Sequence, residues 1–509
     1  MLVKTFAAAV QGISATIITI EVNCSKGIQF FLVGLPDVAV RESHERIISA
    51  LQESGYKFPR SRIVINMAPA DIRKEGSAYD LPLAIGILAG AEMISSEKLS
   101  QYMLMGELSL DGTLKPIKGV LPIAIKAREA GFKGFILPQQ NAREAAVVNK
   151  LEVYGVTNIR DVIEFIDGKK ELEPTIVDTR KEFYARQLQF EYDFSEVRGQ
   201  ENVKRALEVA AAGGHNLLMI GPPGAGKTMI ARRIPGIMPE LTVEEGLELT
   251  KIYSIAGLLP AEDPLIRIRP FRSPHHTCSA QALAGGGRNP RPGEITLAHR
   301  GVLFLDEMPE FSRRSLEILR QPLEDKVIRI SRVYGTYDFP ADFMLCAAMN
   351  PCPCGHYPDM NRCRCTPAQV MQYLGRISQP LLDRLDLCAE VSPVDFEGLS
   401  SGRKGESTQT IRERVICAQD IQRERYKIEG IQFNGELSGA QIEKYCKMEK
   451  DARQLLKMAF QNMPFSARAY HRILKVARTI ADMEATESIH RHHIAEALSY
   501  RAFDKKYWN

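Results

Sequence analysis

Eight consecutive residues have the types and the spacing needed to hold a chain of phosphates: they are Gly221, Pro222, Pro223, Gly224, Ala225, Gly226, Lys227 and Thr228. Glycines let backbone N–H groups approach phosphate oxygens, the lysine amine reaches the terminal phosphates, and the threonine hydroxyl binds Mg²⁺. The apolar residues 217–220 and 229–231 on either side predict the strand and the helix that such a loop connects. The segment therefore predicts a site for ATP and Mg²⁺, against the alternative of a glycine turn that binds nothing.

A second motif further along the chain is the apolar run 301–305 followed by Asp306 and Glu307. An aspartate at the end of a buried parallel strand can join the Mg²⁺ shell, and the next glutamate can orient and polarise the attacking water. Apolar strands that end in Asp-Glu also occur as simple strand boundaries, but the preceding phosphate-binding loop favours the functional interpretation. The two motifs together predict ATP hydrolysis.

A cluster of cysteines follows the next apolar run. Cys352, Cys354, Cys363 and Cys365 form a C-x-C-x8-C-x-C pattern, and four thiolates can close a tetrahedral Zn²⁺ site that is structural and not catalytic. C-x-C pairs are tighter than the usual C-x-x-C pairs, so free thiols are the alternative, and His356 could replace one cysteine. The other six cysteines are expected to be small core or surface residues: they are Cys24, Cys278, Cys346, Cys388, Cys417 and Cys446.

Length and composition limit what the chain can be. With 509 residues and 45% hydrophobic content, it should form about three globular domains. The net charge is +4 with 25% charged residues, so any surface for nucleic acid must be a local patch. The first residues lack a basic start and a cleavage site, and no apolar run is long enough to span a membrane. We therefore expect a soluble, cytoplasmic protein.

Changes of pattern along the chain predict three domains and two linkers. Residues 1–168 alternate short apolar strands with helical patterns, which predicts an α/β domain, and residues 169–190 are a polar linker. Residues 191–395 contain the phosphate motifs, with the cysteines in an insert at 351–366. Residues 396–410 are a second linker, and helical patterns over 411–509 predict a helical lid.

The first domain resembles the protease domain of Lon, a fold related to domain 2 of ribosomal protein S5, through the segments at 74–88 and 106–138. Lon enzymes use a serine activated by a lysine, and the alignment puts Ala78 and Ile123 at those two positions. Ser77 is one residue away and is expected to be a turn residue. The resemblance implies the Lon fold without proteolysis, as in related domains that serve as assembly or nucleic-acid platforms.

The remainder resembles the magnesium-chelatase-type AAA+ ATPases, through residues 271–287, 292–311, 347–355 and 376–387 together with the two phosphate motifs. With the Lon-like domain in front, practically the whole chain is similar to the ComM (YifB) group. This resemblance implies a P-loop AAA+ core with an α/β amino-terminal domain and an α-helical lid. It also implies a ring-shaped, usually hexameric motor involved in DNA branch migration during homologous recombination and natural transformation.

The same resemblance implies further site residues. Asn350 matches the sensor that helps to place the water, Arg384 matches an arginine finger that reaches a neighbouring subunit's nucleotide, and Arg468 matches the second sensor of the lid. A local ion pair of Arg384 with Asp383 or Asp386 is the alternative for the finger.

Four arginines are candidates for contact with DNA. Arg288 and Arg291 lie in a Gly/Pro-rich loop at 283–294, and Arg329 and Arg332 lie in a pattern at 326–343 that predicts a hairpin. Both segments fall where AAA+ rings insert pore loops, and arginines there would hold phosphates without reading bases. Exposed loops with solvated charges are the alternative.

Two other functional classes remain open at this stage. One is a chelatase-like subunit whose ATP cycle remodels a protein partner, for example for metal insertion, and the less favoured one is an ATP-dependent protease. His215 is expected to be a hydrogen-bonded structural residue, against the alternative that it senses the nucleotide, and Arg472 and Arg478 are expected to be solvated lid residues. A metal site at His490, His492 and His493 is disfavoured.

Overall fold

The structure is a computed structural model that describes residues 1–184, 192–260, 263–287, 290–332, 335–393, 405–462, 466–501 and 506–508. Its strands are β1 Leu2–Gln11, β2 Ser14–Ser25, β3 Gln29–Val33, β4 Arg62–Ala68, β5 Tyr102–Leu104, β6 Glu107–Leu108, β7 Leu114–Lys115, β8 Gly134–Pro138, β9 Glu152–Val156, β10 Leu217–Ile220, β11 Phe271–Arg272, β12 Gly285–Gly286, β13 Arg291–Pro292, β14 Val302–Leu305, β15 Val327–Arg332, β16 Gly335–Pro340, β17 Met344–Met349 and β18 Leu387–Glu390.

The helices before the cysteine cluster are α1 Val38–Arg41, α2 Ser43–Glu53, α3 Asp80–Gly90, α4 Val120–Glu129, α5 Ala142–Ala146, α6 Ile159–Ile166, α7 Thr179–Tyr184, α8 Glu201–Gly213, α9 Lys227–Ala231, α10 Ile234–Ile237, α11 Val243–Ala256, α12 Ala280–Ala284, α13 Glu294–Leu297, α14 Arg313–Ile318 and α15 Arg320–Asp325. Those after it are α16 Pro367–Leu374, α17 Gln379–Leu382, α18 Thr408–Tyr426, α19 Gly439–Tyr445, α20 Lys450–Asn462, α21 Ala467–Met483 and α22 Arg491–Ser499. No helix of the described segments is both long enough and apolar enough to cross a bilayer.

The amino-terminal part is built on a seven-stranded mixed sheet in the order β3-β4-β2-β1-β5-β8-β9. The long strands β1 and β2 pair antiparallel from Leu2 with Asn23 to Gln11 with Ser14, and the chain turns at Gly12, whose φ is +60°. Helix α3 packs on these two strands and is buried at every residue, as expected for a helix that is apolar on all sides. These two strands, which lie within the first 25 residues, are the longest in the described part of the chain.

The ATP motifs lie on a second sheet, in which all five strands are parallel in the order β11-β14-β17-β10-β18. Strands β10, β14 and β17 are buried at every residue, because helices cover both faces of a parallel sheet. The carboxyl ends of these three strands meet at one edge of the sheet. That edge brings together the phosphate-binding loop, Asp306 and Asn350.

Helices α18 to α22 pack against the sheet domain mainly through α8. Gln419 and Gln422 donate side-chain hydrogen bonds to the backbone oxygens at the end of α8, those of Ala211 and Ala212. Helix α18 begins at Thr408, three residues before the predicted domain start at 411, because Ser407 caps it. The predicted linker 396–410 lies mostly outside the described residues.

The amino-terminal part joins the second sheet domain through buried polar contacts. Glu144 accepts hydrogen bonds from the backbone of Leu121 and from the hydroxyl of Ser254 in α11, and burial raises the pKa of its carboxyl group. The predicted linker 169–190 is not extended throughout, because helix α7 forms within it. Phe183 of this helix is fully buried against Leu241 and Leu249, which explains why a charged segment becomes ordered.

Candidate nucleotide site

The phosphate-binding loop runs from the end of β10 to the start of α9, which begins at Lys227. Gly224 and Gly226 have φ of +76° and +88°, and glycine adopts this left-handed backbone without a steric penalty. The Lys227 ammonium donates to the backbone oxygens of Gly221 at 2.7 Å and Pro222 at 2.9 Å. The amine is therefore held inside the loop, where the phosphates of a nucleotide would meet it.

Lys227 also connects two strands of the sheet. Its Nζ donates to Oδ1 of Asn350, at the end of β17, over 3.0 Å. The residue is 9% exposed, and this desolvation lowers the pKa of its ammonium group, while the charges of Asp306 and Glu307 oppose the shift. The amine is thus surrounded by acceptors that a bound phosphate would replace.

The residues predicted to hold Mg²⁺ are in direct contact. The Thr228 hydroxyl donates to Oδ2 of Asp306 at 2.6 Å, and Oδ1 of Asp306 accepts from the backbone N–H of Glu307 at 3.0 Å. A hydroxyl and a carboxylate are hard oxygen ligands, which suit Mg²⁺ together with phosphate oxygens and water. These donors fit the ion that an ATPase of this kind requires.

Glu307 occupies an unusual backbone conformation directly after β14. Its φ is +50°, the left-handed region that non-glycine residues rarely adopt. Oε2 of its carboxylate lies 3.4 Å from Nδ1 of His276, a residue that the sequence analysis did not assign to the site. The signal for His276 is topological, because it follows β11, the neighbour of β14 in the sheet.

Arg384 lies at the opposite edge of the sheet from the phosphate-binding loop. Its backbone oxygen accepts from the side chain of Asn216, which precedes β10, at 3.0 Å. The four residues of β10 span about 13 Å between this edge and the loop. The guanidinium pairs with Glu324 and donates to the backbone oxygen of Pro380. Its ion pair is therefore not with Asp383 or Asp386, the two partners suggested by the sequence.

Arg468 lies near Arg384 and not near the loop. The first turn of α21 carries Arg468, whose Nη1 is 4.0 Å from Asp383 and whose side chain is 63% exposed. Arg472, one turn later, is not solvated as predicted: its side chain is 12% exposed and donates to the backbone oxygen of Leu385. The structure therefore groups the two arginines implied by the family resemblance at one edge, and it does not bring either one to the chain's own Lys227.

The prediction that Arg478 is solvated is wrong. Its side chain is 1% exposed, and it pairs with Asp482 at 3.0 Å in the same helix. It also donates to the backbone oxygens of Thr486 and Glu487, which lie in the turn after α21. Arg478 thus fastens this turn to the helix and gives its buried carbonyl groups donors.

The four clustered cysteines converge. Sγ of Cys352 is 3.3 Å from that of Cys354 and 3.8 Å from that of Cys363, and all four Sγ atoms lie within 4.8 Å of one another. Four thiolates around Zn²⁺, at about 2.3 Å from the ion, would be about 3.8 Å apart. The donor set and its spacing therefore fit a structural zinc ion held by these four residues, with His356 not needed as a ligand.

The cysteine cluster also touches the phosphate-binding loop. Gly355, within the first pair's turn, has φ of +82°, and a Cβ there would lie 2.5 Å from Cδ of Pro223. Glycine is therefore required at this close approach. The cluster and the loop pack against each other directly.

The candidate DNA-binding arginines fall on two adjoining loops. Strands β15 and β16 pair antiparallel as in the predicted hairpin, and Nε of Arg332 donates to the backbone oxygen of Gly287 in the other loop at 3.1 Å. Arg291 is exposed, and Arg288 lies outside the described residues. Arg329 pairs across the hairpin with Asp338 at 2.9 Å, which neutralises its charge locally.

The histidines have structural contacts. His215 is fully buried at the start of β10, away from the loop, with Nε2 at 2.8 Å from Thr479. His492 and His493 both contact Glu484, but Nδ1 of His493 accepts from the backbone N–H of His490 at 2.9 Å. Nε2 of His493 must then carry the proton, which disfavours a metal at that nitrogen.

The parallel sheet, the phosphate-binding loop and the two acidic residues Asp306 and Glu307 after β14 define a P-loop ATPase of the magnesium-chelatase-like AAA+ class. The family described as magnesium chelatase, subunit ChlI, matches residues 193–399, and its companion descriptions match 20–141 and, for the carboxyl-terminal part, 405–501. The chain belongs to the ComM/YifB group of this family.

Individual relatives support this assignment. YifB of Salmonella typhimurium is 45% identical, over 98% of this chain and 96% of its own length. Competence protein ComM of Haemophilus influenzae is 43% identical, over 98% of this chain and 97% of its own length. Lon protease 2 of Bacillus subtilis is 28% identical over 143 residues, which are 28% of this chain and 25% of that protein.

Proposed function

We propose that the protein is an ATP-hydrolysing AAA+ ring motor that acts on single-stranded or branched DNA, as a helicase or branch-migration enzyme in homologous recombination and natural transformation. The proposal has two parts, a ring and a nucleic-acid substrate. The name of the competence protein relative agrees with the second part, since competence is the capacity to take up DNA.

The ring is supported by the distance between Arg384 and Lys227 across the sheet. Since the two residues lie at opposite edges, one chain cannot use both at one nucleotide, and a neighbouring copy has to supply the arginine. Arg468 lies on the same edge and would be supplied with it. A closed ring satisfies this requirement at every interface, and a hexamer is the size that the family resemblance implies.

The observation that carries the DNA part is the hydrogen bond between Arg332 and Gly287, which joins the two arginine-bearing loops. Arg291 and Arg332 are both exposed, and the loops belong to different insertions in the sheet domain. Guanidinium groups on adjoining loops would bind phosphates without reading bases. The exposed guanidinium groups of Arg291 and Arg332 therefore suit the phosphate backbone of a nucleic acid strand.

The deciding experiment measures ATP hydrolysis against single-stranded, duplex and four-way-junction DNA at equal nucleotide concentration. We expect single-stranded or junction DNA to raise the ATPase rate, with less effect at high salt because phosphate contacts are screened. An Arg291→Ala, Arg332→Ala double variant should lose the stimulation and keep the basal rate. An ATPase rate that no DNA changes would refute the DNA part of the proposal.

A chelatase-like subunit that remodels a protein partner is the second candidate, favoured by the family descriptions that match most of the chain. This alternative predicts stimulation by a protein partner and not by DNA. Proteolysis is disfavoured, because Ala78 and Ile123 occupy the dyad positions and Ile123 is 1% exposed. Absence of casein cleavage would agree with that, and the amino-terminal part would then act as a Lon-like platform.

The cysteine cluster is proposed to hold one Zn²⁺ per chain. Cys352, Cys354, Cys363 and Cys365 would fill all four positions of a tetrahedral ion, which leaves no place for a reacting water. Bound zinc would supply cross-links and no chemistry. Its place beside Pro223 suggests that it stabilises the phosphate-binding loop.

A further inference from the structure

A groove on the surface of the second sheet domain lies between helix α14 and strand β15. Its volume is about 440 Å³, and its polar lining comes from α12, α14, α15 and β15: Gln281, Arg314, Glu317, Gln321, Ser331 and Arg332. The apolar side chains of Ile318, Ile328 and Ile330 complete the lining. Ser315 of α14 donates its hydroxyl to the backbone oxygen of Cys278 at 3.3 Å, which holds the helix against the segment before α12.

Two guanidinium groups of the groove are not paired with a carboxylate of the described residues. Nε and Nη1 of Arg332 donate to backbone oxygens, that of Gly287 at 3.1 Å and that of Ser331 at 3.0 Å. Arg314, in the first turn of α14, is exposed and has no ion pair with another residue in the described part of the chain. Both charges are therefore available to an anion from solution.

The other two charged side chains that line the groove already have partners. Arg329 pairs with Asp338 across the hairpin at 2.9 Å, and Glu317 pairs with Arg320 at 2.8 Å. The charges within each of these pairs cancel, so the two unpaired arginines give the groove an excess of positive charge. A concave surface with such an excess concentrates anions, and high salt weakens the effect.

The groove adjoins the loop that carries Arg291. A Cβ on Gly286 would lie 3.0 Å from Nη2 of Arg332, so this guanidinium lies against the backbone of the glycine. Arg291 is opposite Gly286 in the antiparallel pair of β12 and β13. Arg314, Arg332 and Arg291 therefore lie on adjoining elements, as expected for cations that follow one extended polyanion.

The lining suits the phosphates of a nucleic acid strand and not its bases. None of the described residues that line the groove has an aromatic ring, so a base finds no surface on which to stack. Guanidinium groups donate charge-assisted hydrogen bonds to phosphate oxygens, and the amide of Gln281 can add a neutral one. A nucleic acid strand repeats its negative charge along its length and can meet all three arginines, which favours it over an acidic protein segment with isolated carboxylates.

We propose that the groove between α14 and β15 binds the sugar–phosphate backbone of a nucleic acid strand, and that Arg314 is a phosphate-contacting residue of this site. The inference rests on the proposed DNA function and adds to it a contact residue outside the two arginine-bearing loops. Binding in the groove does not depend on base sequence, because phosphates carry no sequence information.

Substitutions at two adjacent arginines separate direct contact from long-range charge. Arg314→Ala removes the guanidinium from the groove, and Arg314→Lys keeps the charge on a different head group. Arg313→Ala is the matched control, because Arg313 is also exposed in the first turn of α14 but does not line the groove. Thermal unfolding of each purified variant checks that the fold is intact.

Binding of a labelled single strand to the full chain is measured at several salt concentrations. Arg314→Ala should weaken binding about ten-fold, as expected for one charge-assisted hydrogen bond, and should reduce the slope of log affinity against log salt by about 0.7. Arg314→Lys should keep the wild-type slope, and Arg313→Ala should change the affinity less than about two-fold. An Arg314→Ala variant that binds like the wild type, or an equal loss in Arg313→Ala, would overturn the proposal.

A photoreactive residue gives a second and direct measurement. Benzoylphenylalanine in place of Gln321, which lines the groove, should cross-link to the strand, and the same residue in place of Arg313 should not. Absence of a cross-link at Gln321 despite DNA binding would overturn the path through the groove. A wild-type chain that binds no DNA refutes the proposed DNA function together with this site, whereas DNA binding that is insensitive to Arg314 refutes the site alone.

Discussion

Lys227 and Asn350 share a hydrogen bond of 3.0 Å between Nζ and Oδ1, which links the phosphate-binding loop to the end of a neighbouring strand. The residue proposed to hold phosphates and the residue proposed to place water are therefore in direct contact. ATP must replace this bond, so binding and the arrangement of the water site change together.

Substitution of the basic residue Lys227 and substitution of the acidic residue Glu307 should impair different steps of the ATPase reaction. Lys227→Ala should abolish ATP binding, because the phosphates lose their cation, whereas Glu307→Gln should bind ATP and hydrolyse it very slowly. Equilibrium binding of a fluorescent ATP analogue and steady-state hydrolysis measure the two steps. Equal loss of binding in both variants would contradict the assignment.

Arg384 should act on a neighbouring subunit. Arg384→Ala should still bind ATP but hydrolyse it about 10³- to 10⁵-fold more slowly, since the transition-state charge loses a cation. A mixture of Arg384→Ala and Lys227→Ala chains should recover part of the rate, because some interfaces then contain an intact loop and an intact finger. A mixture that forms mixed rings and is no faster than its components would exclude a role in trans.

The cysteine cluster should bind about one Zn²⁺ per chain. Cys354→Ser and Cys363→Ser should lose the metal and unfold the insert, since structural zinc in small peptides contributes on the order of 10 kcal/mol. Cys417→Ser is the matched control, because Cys417 is exposed and distant in sequence from the cluster. Elemental analysis of protein purified without chelator checks the metal, and its absence from the wild type would remove the idea.

The loop arginines should differ in their effect on DNA affinity. Arg332→Ala should weaken binding and lower the salt slope by about 0.7, as expected for one contact with a single strand, because the guanidinium is exposed. Arg329→Ala should have a smaller effect, since Asp338 already pairs with that charge. Binding of a labelled single strand at several salt concentrations tests the difference, and a larger loss for Arg329→Ala would contradict it.

The carboxyl-terminal helices should lose stability in mild acid through His493. Burial lowers the pKa of this imidazole below 6.5, although Glu484 opposes the shift. The unfolded chain then binds the proton more readily, so the stability from neutral His493 is present above about pH 6.5 and is lost as the pH falls. Protonation also places a hydrogen on Nδ1, which accepts from the backbone of His490.

Thermal unfolding at pH 7.5 and pH 5.5 measures this contribution. His493→Gln should be less stable than the wild type at the higher pH and should lose less on acidification. His492→Gln is the control, because its side chain is 62% exposed. A wild type and a His493→Gln variant with the same loss on acidification would show that another group is responsible.

The chemistry of the site was predictable where it is written in contiguous residues. The loop from Gly221 to Thr228 and the pair Asp306 and Glu307 each follow an apolar run that predicts a buried parallel strand. Because the carboxyl ends of parallel strands lie at the same edge of a sheet, these two runs are enough to bring the motifs together. His276 was not predictable in this way, because its contact with Glu307 depends on which strands are neighbours. The two-residue strand β11 is too short to give a periodic signal.

Charge partners were harder to predict than elements. The hairpin pattern at 326–343 also fixes the cross-strand pairing of Arg329 with Asp338, so this ion pair could have been derived from the register. The pairing of Arg384 with Glu324 could not, because the two residues are far apart in sequence and meet only through packing. The charge of Arg478 predicts a solvated side chain, although the residue follows the apolar positions of α21 and lies on its buried side.

Glu144 connects the amino-terminal sheet domain to α11 through buried hydrogen bonds. Its buried carboxylate accepts from Ser254 in α11 and from the backbone at the start of α4, so sliding these helices apart would leave the group without donors in a dry interior. We therefore expect the amino-terminal sheet domain and α11 to move together as one rigid unit. A conformational change at the ATP site that shifts α11 would then displace the whole amino-terminal sheet domain, and the displacement would be largest at the positions farthest from the ATP site.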